Sequence, residues 1–150
     1  GFTNGLIRWL RAEISLSIVR ADEGMRPQGG TVYFPPDGHH IEVTEMRQLH
    51  VTQRQGEGAC PSGDRLLSSL AKAYGDRAGG VILTGMGQDG ADGSLALFRA
   101  GGVTFAQDAA SCVVFGMPQA AVARGGVREL LPLEAIAQTI ERLSRPGVRR

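Results

Sequence analysis

The chain has 150 residues, 42% of them hydrophobic, and its sixteen basic side chains nearly cancel fifteen acidic ones, leaving a formal charge of +1. A chain of this length buries roughly two-thirds of its unfolded surface in one core, so a single domain is expected, and its interspersed charges offer no basic stripe for a nucleic-acid backbone. No apolar run approaches the ~20 residues of a bilayer span and no basic-then-apolar leader opens the sequence, so the chain is expected to be soluble, cytoplasmic and not inserted in a membrane. Cys60 and Cys112 are too isolated for a disulfide framework or a zinc knuckle. Two reduced thiols are expected, with no metal and no cofactor.

Gly1-Phe2-Thr3-Asn4 lacks an initiating Met and runs straight into an apolar-periodic segment, which reads as a cut edge. Leu6, Ile7, Leu10 and Ile14 recur at helical spacing, predicting an amphipathic helix over 4–14 capped by Thr3 or Asn4. A strand is expected over 15–21, a turn at Pro27-Gln28-Gly29-Gly30, a strand over 31–34 and a second turn at Pro35-Pro36-Asp37-Gly38. Residues 40–44 and 49–53 alternate as a hairpin with one wet face. After the 56–61 loop, Ser62 or Asp64 can cap a helix reaching Tyr74, 79–84 is a short apolar strand, and Asp92 opens a helix closed by Gly101-Gly102. A strand over 103–107, a helix over 117–123 with Pro118 in its first turn, a strand over 127–131 and a helix over 133–143 complete the pattern. Residues 144–150, with Pro146-Gly147 and three arginines, read as a frayed tail. Strands alternating with helices predict an α/β fold: a doubly wound, mostly parallel sheet with helices on both faces and an antiparallel hairpin appendage.

The chemistry concentrates in residues 81–93, where an apolar strand ends in the Gly-rich run Gly85-Met86-Gly87-Gln88-Asp89-Gly90 and a helix follows. Such a loop lies at the carboxyl edge of a parallel sheet, where open α/β folds place their sites. The run matches GxGxxG, with Asp108 downstream at the end of the next strand, a dinucleotide fingerprint by spacing. Asp89 and Asp92 oppose that use, because both would face an anionic pyrophosphate at the helix N-terminus. The same carboxylate suits another role. An aspartate fixed in a tight turn can orient the histidine of a Ser-His-Asp triad while loop amides face an oxyanion. A helix-capping Asp89 and a core Met86 are the structural alternatives.

Four ordered segments carry a resemblance: Val-Ile-Leu-Thr-Gly-Met-Gly-Gln-Asp-Gly-Ala at 81–91, Ala-Gln-Asp at 106–108, Cys-Val-Val-Phe-Gly-Met-Pro at 112–118 and Leu-Leu-Pro-Leu-Glu-Ala-Ile-Ala at 130–137. Gly-Phe-Thr at 1–3, Gly-Gly-Thr-Val-Tyr-Phe-Pro-Pro-Asp-Gly-His at 29–39 and Cys-Pro-Ser-Gly-Asp-Arg-Leu-Leu at 60–67 extend it more loosely over nearly the whole chain. Together they resemble the C-terminal catalytic domain of the chemotaxis protein-glutamate methylesterases of CheB type. The resemblance implies hydrolysis of glutamate methyl esters, and deamidation of glutamines, on the cytoplasmic helices of methyl-accepting chemoreceptors. It assigns Asp89 as the triad aspartate and Met86 as a backbone oxyanion donor; Asp108 has a counterpart in the family, and a structural role is expected for it. It also implies, upstream, a receiver domain phosphorylated by a histidine kinase in a two-component phosphorelay.

The sequence departs from that family at its front. The Gly-Thr-Ser-Thr-Gly-Gly-like turn with the nucleophilic serine and the Gln-His-Met-like motif with the base do not occur, and Gly1-Phe2-Thr3 aligns just beyond the histidine. The chain is therefore expected to be inactive alone and, with a bare sheet edge, to self-associate. His39, His40, His50, Ser62 and Ser111 do not lie where a nucleophile turn or its base belongs. Two other functions stand beside the esterase: a non-catalytic module that grips receptor helices or a signalling partner, and a dinucleotide-binding domain.

Overall fold

The computed structural model describes residues 1–145. The first helix, α1 (Phe2–Glu13), begins at Phe2 with Gly1 as its N-cap, earlier than expected, and no side chain of its own caps it. Its cap comes from another turn: the Asp37 carboxylate accepts the Thr3 amide at 3.0 Å and the Thr3 hydroxyl. These bonds, hydroxyl first and amide second, hold Asp37 below the usual carboxylate range. Arg11 Nε donates to the Ile18 carbonyl at 2.8 Å, tying α1 to the strand that follows.

Strands β1 (Ser17–Arg20) and β2 (Thr31–Phe34) pair in parallel, with Ser17 opposite Thr31 and Arg20 opposite Phe34. The hairpin β3 (His39–Val43) and β4 (Leu49–Gln53) is antiparallel, as its alternation predicts, and buries Ile41, Val43 and Leu49 with Ala21. Helix α2 (Gly63–Tyr74) packs Leu66 and Leu70 on that cluster and Leu67 into the main core.

The second half is three βα units: β5 (Gly79–Ile82), α3 (Ala91–Arg99), β6 (Val103–Gln107), α4 (Met117–Ala123), β7 (Glu129–Leu131) and α5 (Leu133–Ser144). The strands form one parallel sheet in the order β5-β6-β7. Leu67, Ala78, Ile82, Ala91, Leu97, Ala106 and Ala121 make the core between this sheet and α2, α3 and α4. Val81, Phe105, Ile140 and Leu143 line a groove of about 270 Å³ on the opposite face, under α5. Both faces thus carry helices, as the α/β pattern requires.

Several details differ from the expected pattern: β1 is shorter than 15–21, and β7 begins at Glu129 rather than residue 127. Among the described residues the parallel strands form two separate sheets, β1-β2 and β5-β6-β7, so β5 has a ladder partner on one edge only. Strand β5 stops at Ile82 rather than residue 84, because the Thr84 amide leaves the ladder for the Gln107 side chain at 2.9 Å. Helix α3 starts at Ala91 on a Gly90 cap with φ of 90°, one residue before Asp92. Of the expected tail, Ser144 closes α5 and Arg145 pairs with Glu141 at 3.0 Å, while 146–150 lie outside the described residues. No helix among the described residues is long and apolar enough to cross a membrane.

Candidate active site

Loop 83–90 leaves the carboxyl end of β5 and turns into α3, and glycines make its path possible. A Cβ on Gly85 would lie 2.5 Å from Met117 Sδ, and one on Gly90 2.6 Å from Ile82 Cδ1. Across the loop, a Cβ on Gly116 would meet the Gly85 carbonyl at 2.8 Å and Met86 Cα at 3.3 Å. Backbone blocks a side chain at Gly116 and a φ of 90° disfavours one at Gly90, while at Gly85 the end of Met117 would have to move. The 112–117 segment is clamped underneath: Gly85 N–H donates to the Val114 carbonyl at 3.1 Å, and Met117 N–H to the Gly85 carbonyl at 2.8 Å. Thr84 exchanges bonds with residue 114 through its hydroxyl, donating to the carbonyl at 3.1 Å and accepting the amide at 2.9 Å. Buried Gln107 supports Thr84 from below and donates to the Ser111 carbonyl at 2.8 Å. Asp108 closes this turn by accepting the Ser111 amide and hydroxyl at 2.9 and 2.6 Å, the structural role expected of it.

Among the described residues the amides of Met86, Gly87, Gln88 and Asp89 donate to no protein acceptor. Met86 is 84% exposed, which excludes the core-methionine alternative and leaves its backbone as the group of interest. Asp89 is half-buried and strongly held. Its Oδ1 accepts the Ser62 hydroxyl at 2.8 Å and the Asp64 amide at 3.2 Å; its Oδ2 accepts the Gly63 amide at 2.6 Å. These donors belong to the N-terminus of α2, where backbone dipoles favour a negative charge. Asp89 therefore does cap a helix, though not the one that follows it in sequence. A carboxylate has about four lone-pair sites, so three bonds leave one open, on Oδ2.

A serine, a histidine and an aspartate do come together within the chain, but not as a triad. His40 Nδ1 accepts the Ser62 backbone amide at 3.2 Å, and the Ser62 hydroxyl gives its proton to Asp89 rather than to an imidazole. A nucleophile needs a base on its hydroxyl, and Ser62 has a carboxylate there with the ring on its main chain. His39 bonds the Asp37 carbonyl at 2.9 Å and His50 bonds Glu23 at 3.1 Å, so neither touches Asp89. The Val51 amide first and the His50 ring second hold Glu23 below the usual carboxylate range.

Nucleotide binding fares poorly at this loop. Two of the first α3 amides that would cradle a pyrophosphate are occupied, Gly93 N–H by Asp64 Oδ1 at 2.7 Å and Ala91 N–H by the Gln88 carbonyl at 3.1 Å, and the Asp89 carboxylate stands beside them. A cleft of about 490 Å³ between the hairpin and α2 is lined by Asp64 and Arg65 but by neither Met86 nor Asp89.

Residues 1–140 match the family model for the CheB methylesterase. The chain belongs to the CheB methylesterase family. It is 51% identical over 140 residues to protein-glutamate methylesterase/protein-glutamine glutaminase 3 of Myxococcus xanthus (strain DK1622), a match covering 93% of this chain and 39% of that protein. Protein-glutamate methylesterase FrzG of Myxococcus xanthus is 43% identical over 141 residues, covering 93% and 42%. The crystal structure of the Thermotoga maritima CheB methylesterase catalytic domain superposes with a TM-score of 0.83 at 30% identity, over 93% of this chain and 76% of that one. The chain thus spans about two-fifths of the length of these curated relatives. The CheB likeness establishes the α/β architecture.

Sequence reasoning found the loop but missed what holds Asp89. One signal was present: Gly63 directly follows the Ser62 cap, an unusual choice for a first helical residue unless something approaches closely. A Cβ there would lie 3.3 Å from Asp89 Oδ2.

Proposed function

We propose that the chain forms most of the catalytic domain of a protein-glutamate methylesterase, hydrolysing glutamyl methyl esters, and deamidating glutamines, on the cytoplasmic helices of chemoreceptors. The serine and histidine come from residues preceding Gly1. The serine hydroxyl attacks the ester carbonyl as the imidazole takes its proton, and the resulting oxyanion is met by the Met86 amide. Collapse expels methanol, with the imidazole returning the proton, and water then releases the glutamate by the same two steps. Asp89 orients the imidazole through the open site on Oδ2 and stabilises its protonated form.

The observation that carries this reading is the Asp89 carboxylate, held by three donors with one acceptor site left, on a loop whose neighbouring amides are unengaged. Two further facts support it. The partner-free edge of β5 and the quarter of the Thermotoga maritima domain outside the match leave room for the strands that would bear serine and histidine. The greater length of the Myxococcus xanthus relatives also leaves room for a receiver domain controlled by a histidine kinase in the cytoplasm.

The test is methanol release from methylated receptor by the complete protein and by Asp89→Asn. Turnover is expected to fall by about 10³-fold or more, the scale on which a triad aspartate acts. Unchanged turnover would remove Asp89 from the mechanism, and receptor binding by the complete protein without any methanol release would favour a non-catalytic module.

A further inference from the structure

Resting on that reading, we infer that Ser62 is a positioning residue for catalysis: its hydroxyl and the first α2 amides set the direction in which Asp89 presents its remaining lone pair. Three observations converge. First, Oδ1 is saturated by the Ser62 hydroxyl at 2.8 Å and the Asp64 amide at 3.2 Å, so it cannot also serve an imidazole. Second, Oδ2 carries only the Gly63 amide at 2.6 Å, which makes it the one oxygen with a site open. Third, Ser62 is itself fixed from three sides. Buried His40 takes its amide at 3.2 Å, Asp89 takes its hydroxyl proton, and its oxygen caps α2 by accepting the Arg65 amide at 3.3 Å.

Without the hydroxyl, Oδ1 keeps a single long bond and the carboxylate can rotate about the Gly63 contact. Either oxygen can then face the imidazole, and the productive orientation becomes one of several. The hydroxyl proton is committed to Asp89, so its loss is expected to alter the carboxylate's direction rather than ground-state binding of the receptor helix. The effect belongs in kcat and not in KM.

Ser62 also begins a helix, so the variants are chosen to separate that role. Ser62→Gly deletes the hydroxyl while glycine remains an acceptable cap. Ser62→Thr and Ser62→Val share a shape and differ by the hydroxyl. In the complete protein, kcat for methanol release is expected to fall roughly ten- to a hundredfold in Ser62→Gly with KM within about twofold, the range typical of a misplaced catalytic group. Ser62→Thr is expected to retain kcat within about threefold, and Ser62→Val to fall with Ser62→Gly. Circular dichroism spectra matching the parent establish folding, and if Ser62→Gly does not fold, the threonine and valine pair decides. Equal kcat in that pair, or a Ser62→Gly loss lying in KM, overturns the inference. Asp89→Asn, measured in parallel, keeps the two claims apart. If it abolishes turnover while the Ser62 variants do not, the triad assignment stands and the positioning role fails; if it has no effect, the underlying reading fails instead.

Discussion

Replacing Asp89 with asparagine tests the geometry without requiring turnover, because the carboxylate is as much a part of α2 as of its own loop. The amide oxygen of the substituted side chain can still accept the Ser62 hydroxyl and the Asp64 amide, but its NH2 group must then face the Gly63 N–H, which in the parent lies 2.6 Å from Oδ2. One charge-assisted bond, in the range of about 1.5–3 kcal/mol, gives way to a donor opposing a donor. The charge that complements the α2 dipole is lost as well, adding about 0.3–1 kcal/mol. Because the site is half-exposed, water can reach the abandoned amide and return part of this. The net destabilisation expected is roughly 1.5–3 kcal/mol, read as a lowered urea midpoint at constant m-value. Asp92 is the control. It sits in the first turn of α3 with only a surface pair to Arg124 at 3.1 Å, so Asp92→Asn is expected to change stability by no more than about 0.5 kcal/mol. Equal, small effects at the two positions would refute the claim that Asp89 is held by α2.

Three other outcomes follow from the same structure. Gly116→Ala drives a methyl group against the Gly85 carbonyl and Met86 Cα; it is expected to cost about 1–3 kcal/mol and to lower methanol release at least tenfold by displacing the Met86 amide, and parent-like values in both assays would contradict the loop packing. Asp37 is held below its ordinary range by Thr3, so the cap it gives α1 is fully present above the unfolded value of about 3.9 and is lost as pH falls through the lower folded value. Trp9, the only tryptophan, lies in α1, and its emission should report that transition in the parent but not in Asp37→Ala. Finally, the open edge of β5 predicts that residues 1–150 alone self-associate, seen as concentration-dependent sedimentation, and a sharp monomer at all concentrations would argue that the edge is protected.

What the sequence disclosed, and what it did not, divides by the range of the interactions involved. The hairpin, α2 and the βα alternation depend on local periodicity and turn residues, and their boundaries agree closely with expectation. Where a side chain diverts the backbone from its neighbours, boundaries shift: Thr84 ends β5 early by bonding Gln107, 23 positions away. Local spacing offers Thr3 or Asn4 as the cap of α1, yet the cap lies in Asp37, 34 residues beyond Thr3, because nothing in local spacing shows which turn will fold over a helix end. At the site, Gly-rich spacing points to the loop, and the objection to nucleotide binding from Asp89 agrees with an α3 terminus where the Ala91 and Gly93 amides are already taken. Ser62 and Asp89 stand 27 residues apart, and their bond depends on α2 packing against α3 through Gly93, where a Cβ would lie 2.8 Å from Asp64 Cα. Tertiary contact of that kind has no signature in a window of sequence.

A high-resolution structure of the complete catalytic domain would put the central claim to its plainest trial. It should show an imidazole N–H donating to Asp89 Oδ2 at about 2.6–3.2 Å, with the Ser62 and Gly63 bonds intact. An imidazole out of reach, with that oxygen facing solvent, would contradict the account.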